Sequence, residues 1–208
     1  VGMNGSDIQV VDIDKDGFPD ILYQQSTTNG SAVYLNNGNG GLRAGRSTQL
    51  PTGGYSIRYG DVNNDGYIDY IVHYGKSVTV SLGDGRGNFA PGAGLSLPSA
   101  FDHANSGEDP ALIDLDGDGV LDLVTTDNVN GQVLIHRGNK DGSFTTVKNI
   151  SGLPNARNIR AVDVNGDGML DLVIKSDQRN SNPQFYPIVI LFNSSAAPKA
   201  GVFDFKAP

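Results

Sequence analysis

The 208-residue sequence is long enough for one domain with a sizeable core, carries a formal net charge of −8, and contains no cysteine. The acidic balance argues against a nucleic-acid-binding protein, because contacts to phosphates need clustered Lys and Arg. A fold held by disulfides is excluded, and no apolar run approaches the roughly 18 residues of a membrane span. The 28 glycines and 10 prolines indicate many tight turns between short strands.

In chain order, the sequence repeats one series of elements four times. Each series starts with a short apolar run, at residues 8–11, 57–59, 111–113 and 159–162. An Asp-rich loop then leads into a β-rich run, at residues 21–23, 70–72, 123–125 and 172–174. A third apolar run follows, at residues 32–35, 78–82, 133–135 and 188–192.

The third run of each unit enters a Gly-rich turn closed by an apolar residue, at residues 37–42, 83–89 and 138–144, with a degenerate turn at 193–203. A weaker fourth strand returns, for example at residues 95–97 or 146–148. Four short strands in a unit of about 50 residues predict a blade of a β-propeller. We therefore predict an all-β fold with almost no helix: a single β-propeller region over residues 1–208, with four-stranded antiparallel blades near 6–51, 55–98, 109–153 and 157–206.

The Asp-rich loops share the pattern D-x-[DN]-x-D-G-x-x-D and begin 49, 53 and 49 residues apart. They hold 14 of the 23 acidic residues, so the negative charge is concentrated in them. The candidate metal ligands at positions 1, 3, 5, 7 and 9 are Asp12, Asp14, Asp16, Phe18 and Asp20; Asp61, Asn63, Asp65, Tyr67 and Asp69; Asp114, Asp116, Asp118, Val120 and Asp122; and Asp163, Asn165, Asp167, Met169 and Asp171.

Alternate acidic residues in a tight turn point their side chains toward one place, and Gly at position 6 permits the reversal. Carboxylates this close repel one another unless a cation lies among them, and hard oxygen ligands favour calcium. Position 7 is expected to contribute its backbone carbonyl. The alternative is that these are Asp/Asn/Gly turns without metal.

An EF-hand is excluded, because its loop needs Glu at position 12, and the residues there are Tyr23, Val72, Thr125 and Ile174. We expect about four Ca²⁺ per chain, whose eight positive charges equal the formal net charge of −8. The second and fourth loops carry Asn at position 3 and are expected to bind more weakly.

The loop motif and the following N-x-G-x-G-x-F turn resemble the FG-GAP/VCBS repeat of integrin α-subunits, propeller lectins, toxin subunits and some polysaccharide lyases. The resemblance implies a calcium-binding β-propeller whose acidic loops lie on one face and whose opposite face meets the ligand. Family propellers usually have about seven blades. Four repeats here leave open an excised portion, half of a dimeric eight-bladed ring, and a small propeller.

Two insertions map to the face opposite the acidic loops, at residues 98–110 and 176–187. Both mix aromatic with polar residues, which suits sugar stacking or protein recognition. The candidate ligand-binding residues are Phe101, His103, Arg179, Phe185 and Tyr186. Solvated loops whose aromatics cover a neighbouring blade are the alternative.

No catalytic motif is present: the three histidines occupy non-equivalent repeat positions, and there is no G-x-S-x-G or H-E-x-x-H. We expect a non-catalytic, calcium-stabilised recognition module that binds glycan or extracellular protein, for instance in cell adhesion, and belongs to a secreted or surface protein. The alternative is the propeller portion of a larger secreted polysaccharide lyase or toxin, with its catalytic groups elsewhere. Further blades of a longer chain, or a second copy, are possible partners.

Overall fold

The computed structural model describes residues 6–25, 32–44, 56–74, 76–97, 110–127, 129–176, 188–194 and 203–205. These residues form four antiparallel sheets in chain order and include no helix. No helix long and apolar enough to cross a membrane is found in this part of the chain.

The four sheets differ in the number of their strands. Sheet 1 contains β1 (Ser6–Val11), β2 (Asp20–Gln25), β3 (Ala32–Asn36) and β4 (Leu42–Ala44). Sheet 2 contains β5 (Ser56–Gly60), β6 (Asp69–Tyr74), β7 (Ser77–Gly83) and β8 (Phe89–Pro91), with β9 (Leu95–Ser96) also paired to β7. Sheet 3 contains β10 (Ala111–Ile113), β11 (Asp122–Asp127), β12 (Gln132–Gly138) and β13 (Phe144–Ser151). Sheet 4 contains β14 (Ala156–Val162), β15 (Asp171–Ser176) and β16 (Ile188–Leu191).

The fourth repeat, whose Gly-rich turn is degenerate in sequence, also differs from the others in its last strand. In place of a fourth strand, the described part of sheet 4 shows a single bridge between Asn193 and Phe205. Phe203 and Phe205 are buried in the core shared with sheet 3. The last described residues therefore return to the sheet and close the fourth repeat.

Each sheet packs on the next through a buried apolar cluster. Ile13, Leu22 and Val33 of the first repeat meet Ile57 and Val72 of the second. Because successive residues of a strand point to opposite faces, the other face of β6 presents Ile71 to sheet 3. A third cluster joins sheets 3 and 4.

Sheets 2 and 3 are covered on both faces, which explains why β11 is buried along its whole length. Sheets 1 and 4 are the ends of the row. Ile8 and Val10 on the outer face of β1 are 61% and 64% exposed, and Ile188 on β16 is 66% exposed. Among the described residues, no buried cluster joins sheet 4 to sheet 1.

Candidate metal sites

The four acidic loops join the first and second strands of their sheets. Loop 1 covers residues 12–20, loop 2 residues 61–69, loop 3 residues 114–122 and loop 4 residues 163–171. Neighbouring loops touch: the Lys15 ammonium lies 5.7 Å from the centroid of the Tyr67 ring, and Asn64 Nδ2 donates to the carbonyl of Gly119 at 3.0 Å. Loops 1, 2 and 3 therefore lie side by side on one face of the row.

A shared set of hydrogen bonds folds each loop around its first and fifth residues. The position 1 carboxylate accepts from the backbone N–H of the position 6 glycine, at 3.0 Å in loop 1 and 2.7 to 2.9 Å in the others. The position 5 carboxylate accepts from the N–H of position 7, at 2.8 to 2.9 Å. These bonds fix the orientation of the two carboxylates within each loop.

Two positions of each loop have left-handed backbone. The position 6 glycines have φ between 83° and 90°, as the motif predicts. Position 4 is also left-handed: it is Lys15 in loop 1 and Asn64 in loop 2, at 59° and 58°, and glycine in loops 3 and 4. A side chain is therefore accommodated at position 4 in two of the four repeats.

The position 9 aspartate is the structural centre of each repeat. Asp20, Asp69, Asp122 and Asp171 are all fully buried. One carboxylate oxygen accepts from the N–H of position 2 at 2.8 to 3.0 Å, and the other from an N–H at or beside the end of the third strand at 2.7 to 2.9 Å. This residue pins the loop to the third strand, a function that the sequence pattern alone does not reveal.

Loop 1 brings three carboxylates together. One oxygen from each of Asp12, Asp14 and Asp20 lies within 4.8 Å of the others. Asp12 Oδ1 and Asp14 Oδ1 are buried and accept no hydrogen bond from any residue that the structure describes. Loss of solvation raises the pKa of Asp14, and repulsion from Asp20 and Asp16 raises it further. Two buried carboxylate oxygens with no donor are the chemistry expected where a cation binds.

Loop 3 has the same acidic residues in a different environment. Oxygens of Asp114, Asp116 and Asp122 also lie within 4.8 Å of one another. Here Arg137 of β12 reaches the loop, with Nη2 at 2.8 Å from Asp118 Oδ2 and Nε at 3.5 Å from Asp116 Oδ2. The pKa of Asp118 is lowered, because the Arg137 hydrogen bond helps to outweigh the effect of desolvation. Burial raises the pKa of Asp122 to about 6.

Loops 2 and 4 replace one carboxylate with an amide. Asn63 Nδ2 donates to Asp65 Oδ2 and Asn165 Nδ2 donates to Asp167 Oδ2, both at 2.9 Å. Each amide thus donates a hydrogen bond to the position 5 carboxylate, whereas in loop 1 position 3 is an aspartate. These loops retain three carboxylates each.

The other predicted site residues are those at position 7 of the loops and the predicted ligand-binding residues. At position 7, Val120 and Met169 are buried, whereas Phe18 and Tyr67 are 44% and 38% exposed. The predicted ligand-binding residues lie outside the described residues: Phe101, His103, Arg179, Phe185 and Tyr186.

Sequence reasoning missed Arg137. The sequence did contain a sign of it. In each repeat, one residue directly precedes the N–H that bonds the position 9 aspartate. In the other three repeats this residue is apolar: Leu35, Leu82 and Phe192. Aligning the repeats on the hydrogen bond to the position 9 aspartate therefore shows Arg137 as the charged residue at an otherwise apolar position.

The row of antiparallel sheets and the four acidic loops define a repeat protein, and in the described part of the chain three carboxylates come together in loops 1 and 3. A family model for the FG-GAP-like repeat matches residues 12–72, 61–125 and 114–174. The chain belongs to this family. No curated protein matches it.

Two solved structures share the fold. A lectin from Agrocybe aegerita, described as recognising non-reducing terminal N-acetylglucosamine, is 22% identical with a TM-score of 0.59. The match covers 83% of this chain and 47% of the lectin chain. The Tc holotoxin pore of Photorhabdus luminescens is 22% identical with a TM-score of 0.54, over 87% of this chain and 8% of the toxin chain. This chain thus spans less than half the length of either.

Proposed function

We propose that this chain is a calcium-stabilised, non-catalytic recognition module of a secreted or surface protein, and that its four sheets are blades of a β-propeller. The observation that carries the calcium proposal is the pair of buried oxygens, Asp12 Oδ1 and Asp14 Oδ1, with no donor in the described part of the chain. A hard divalent cation supplies the missing positive charge through oxygen ligands alone. Such loops fill at extracellular calcium levels, which supports the proposed location.

The residues that would hold calcium in loop 1 are Asp12, Asp14, Asp16 and Asp20, with the carbonyl of Phe18 completing the oxygen set. Asp20 can ligate while it pins β3, because each carboxylate oxygen has two lone pairs. Bound calcium offsets the repulsion among these carboxylates and holds the loop in its folded shape. Its role here is structural, and the loop residues have no part in a reaction.

Calorimetric melting with calcium and with excess chelator tests this proposal, with bound calcium counted per chain. We expect about four ions per chain at millimolar calcium and a large drop in melting temperature on chelation. The variant Asp14→Asn, which gives loop 1 the position 3 residue of loops 2 and 4, should weaken one calcium site and lose part of this response, whereas Asp141→Asn, an exposed carboxylate in a Gly-rich turn, should keep it. Absence of bound calcium with unchanged melting would reject the calcium proposal.

The end faces of the row support a propeller. Ile8 and Val10 at one end and Ile188 at the other are large, exposed apolar side chains on sheet faces. Sheets 2 and 3 bury the equivalent faces against their neighbours. In a propeller, further blades cover these ends, supplied by more chain or by a second copy. Replacing Ile8 and Val10 with Lys should prevent that association in sedimentation experiments, and an unchanged mass distribution would argue against it.

Recognition is proposed for the face opposite the acidic loops, at insertions 98–110 and 176–187. The lectin neighbour makes a glycan with terminal N-acetylglucosamine the first probe to use. Binding to an array of such glycans should be lost when Phe101, Phe185 and Tyr186 are replaced together by Ala. Unchanged affinity in that triple variant, folded as judged by circular dichroism, would reject these insertions as the site.

A further inference from the structure

Arg137 distinguishes the third repeat from the other three. It occupies the penultimate position of β12, one residue before Gly138, whose N–H donates to Asp122 at 2.9 Å. The corresponding residues are Leu35, Leu82 and Phe192, none of which carries charge.

The Arg137 guanidinium lies where it neutralises loop 3. It donates to Asp118 at 2.8 Å and lies 3.5 Å from Asp116, whose side chain has no exposed surface. Hydrogen bonds between charged groups are the stronger kind, and shielding from water strengthens them further. Arg stays protonated at every pH at which the protein is folded, so this positive charge is permanent.

Loop 1 has the same acidic residues and Leu35 in place of Arg137. Asp12 Oδ1 and Asp14 Oδ1 are buried with no hydrogen-bond donor in the described part of the chain. The corresponding oxygens of loop 3 accept from the backbone N–H groups of Gly117 and Asp118, so Arg137 adds positive charge to a loop whose carboxylates already have backbone donors. A divalent ion entering loop 3 needs oxygens of Asp116 and Asp118. Arg137 is hydrogen-bonded to Asp118 and forms an ion pair with Asp116, without a hydrogen bond from Nε to any described residue.

We infer that Arg137 is a built-in counter-cation of loop 3, which holds the loop folded without metal and competes with calcium for Asp116 and Asp118. Calcium in loop 3 and the guanidinium repel one another, and since the Arg137 side chain is 37% exposed, it has solvent to move into. The third loop is therefore the weaker calcium site of the two that carry four carboxylates. This inference rests on the proposed calcium binding of the chain.

The test compares the full chain with Arg137→Leu, which installs the residue found at this position in the first and second repeats. Calcium titration calorimetry is run on both proteins, alongside urea unfolding in chelator. Arg137→Leu should add one tight calcium site per chain, with an affinity at least about tenfold above that of the wild-type loop 3, since a competing charge-assisted bond is gone. In chelator the variant should unfold at lower urea, because Asp116 and Asp118 lose their counter-charge.

Two controls keep the outcome interpretable. Arg43→Leu removes a positive charge from an exposed strand position and should change neither calcium affinity nor the number of tight sites. Arg137→Gln keeps a polar side chain of similar reach without charge, and should reproduce the gain in affinity if Arg137→Leu does not fold.

The outcomes separate this inference from the calcium proposal. If wild type binds calcium and neither Arg137 variant gains affinity or a site, the competition is disproved while the calcium proposal stands. If neither wild type nor variants bind calcium at millimolar concentration, both are rejected. An unchanged urea midpoint in chelator would reject the counter-charge function of Arg137.

Discussion

Loop 1 and loop 3 share their acidic residues, yet the structure stabilises them differently. Loop 1 leaves Asp12 Oδ1 and Asp14 Oδ1 buried without a donor in the described part of the chain, whereas loop 3 is met by Arg137. The lesson is that equal numbers of carboxylates in two loops do not give them equal surroundings. In loop 3 a basic residue on a neighbouring strand supplies a positive charge, and the corresponding residue of the first repeat is Leu35.

The largest expected effect on stability comes from the position 9 aspartate, which both loops share. Asp122→Ala, and equally Asp20→Ala, leaves two backbone N–H groups without their buried acceptors. Each unpaired buried group costs about 1 to 3 kcal/mol, so unfolding free energy should fall by about 3 kcal/mol or more, with or without calcium. Urea unfolding measures it, with exposed Asp141→Ala as control. A loss below about 1 kcal/mol in chelator, near the lower limit for a single unpaired group, would show that these residues act only through metal.

A smaller effect should separate the loops. Asp14→Asn removes a carboxylate that is repelled by its acidic neighbours and whose Oδ1 has no donor in the described part of the chain, so it should leave metal-free stability unchanged or raised while reducing calcium stabilisation. Asp116→Asn removes an ion-pair partner of Arg137, so it should lower metal-free stability by up to about 1 kcal/mol. Paired melting curves in chelator and in calcium measure both. Equal responses of the two variants would remove the distinction between the loops.

The smallest effect is on acid stability and arises beside Arg137. His136 is fully buried, with its ring nitrogens 2.9 Å and 2.8 Å from the hydroxyls of Thr125 and Thr146. Burial, and then the nearby His73, lowers its pKa to about 4. Between the unfolded value of about 6.5 and pH 4 the unfolded chain binds the extra proton, so this histidine makes stability fall as pH falls through that window.

His136→Gln should therefore make the metal-free protein more resistant to acid, by about 1 kcal/mol at pH 5.5 relative to pH 7.5. The raised pKa values of Asp14 and Asp122 act in the opposite direction, because folded protein protonates these groups first. They are common to wild type and variant and cancel in the comparison. A pH dependence identical in the two proteins would show that His136 is not the group responsible.

Much of this architecture was predictable from the sequence, because regular spacing and short apolar runs are local features. The four acidic loops, their left-handed glycines and the strands around them follow from pattern alone, and so does the repeat family. Two features were not predictable in that way. The pinning action of Asp20 and its equivalents depends on N–H groups in another strand, up to 22 residues away.

Arg137 escaped prediction for a similar reason. It lies 19 residues from Asp118, on β12 and not in the loop, and only the three-dimensional pairing of β11 with β12 brings the two residues together. Counting acidic residues therefore placed loops 1 and 3 in one class, and geometry divides them. The order of calcium affinity that we propose for the loops therefore rests on the folded sheets and not on the sequence motif.

The most direct measurement is an anomalous scattering map from crystals grown with calcium. We predict a peak in loop 1 at about 2.3 to 2.6 Å from Asp12 Oδ1 and Asp14 Oδ1. At calcium concentrations that only just fill loop 1, loop 3 should show Arg137 still paired with Asp118 and no peak. A filled loop 3 beside an empty loop 1 would contradict the account.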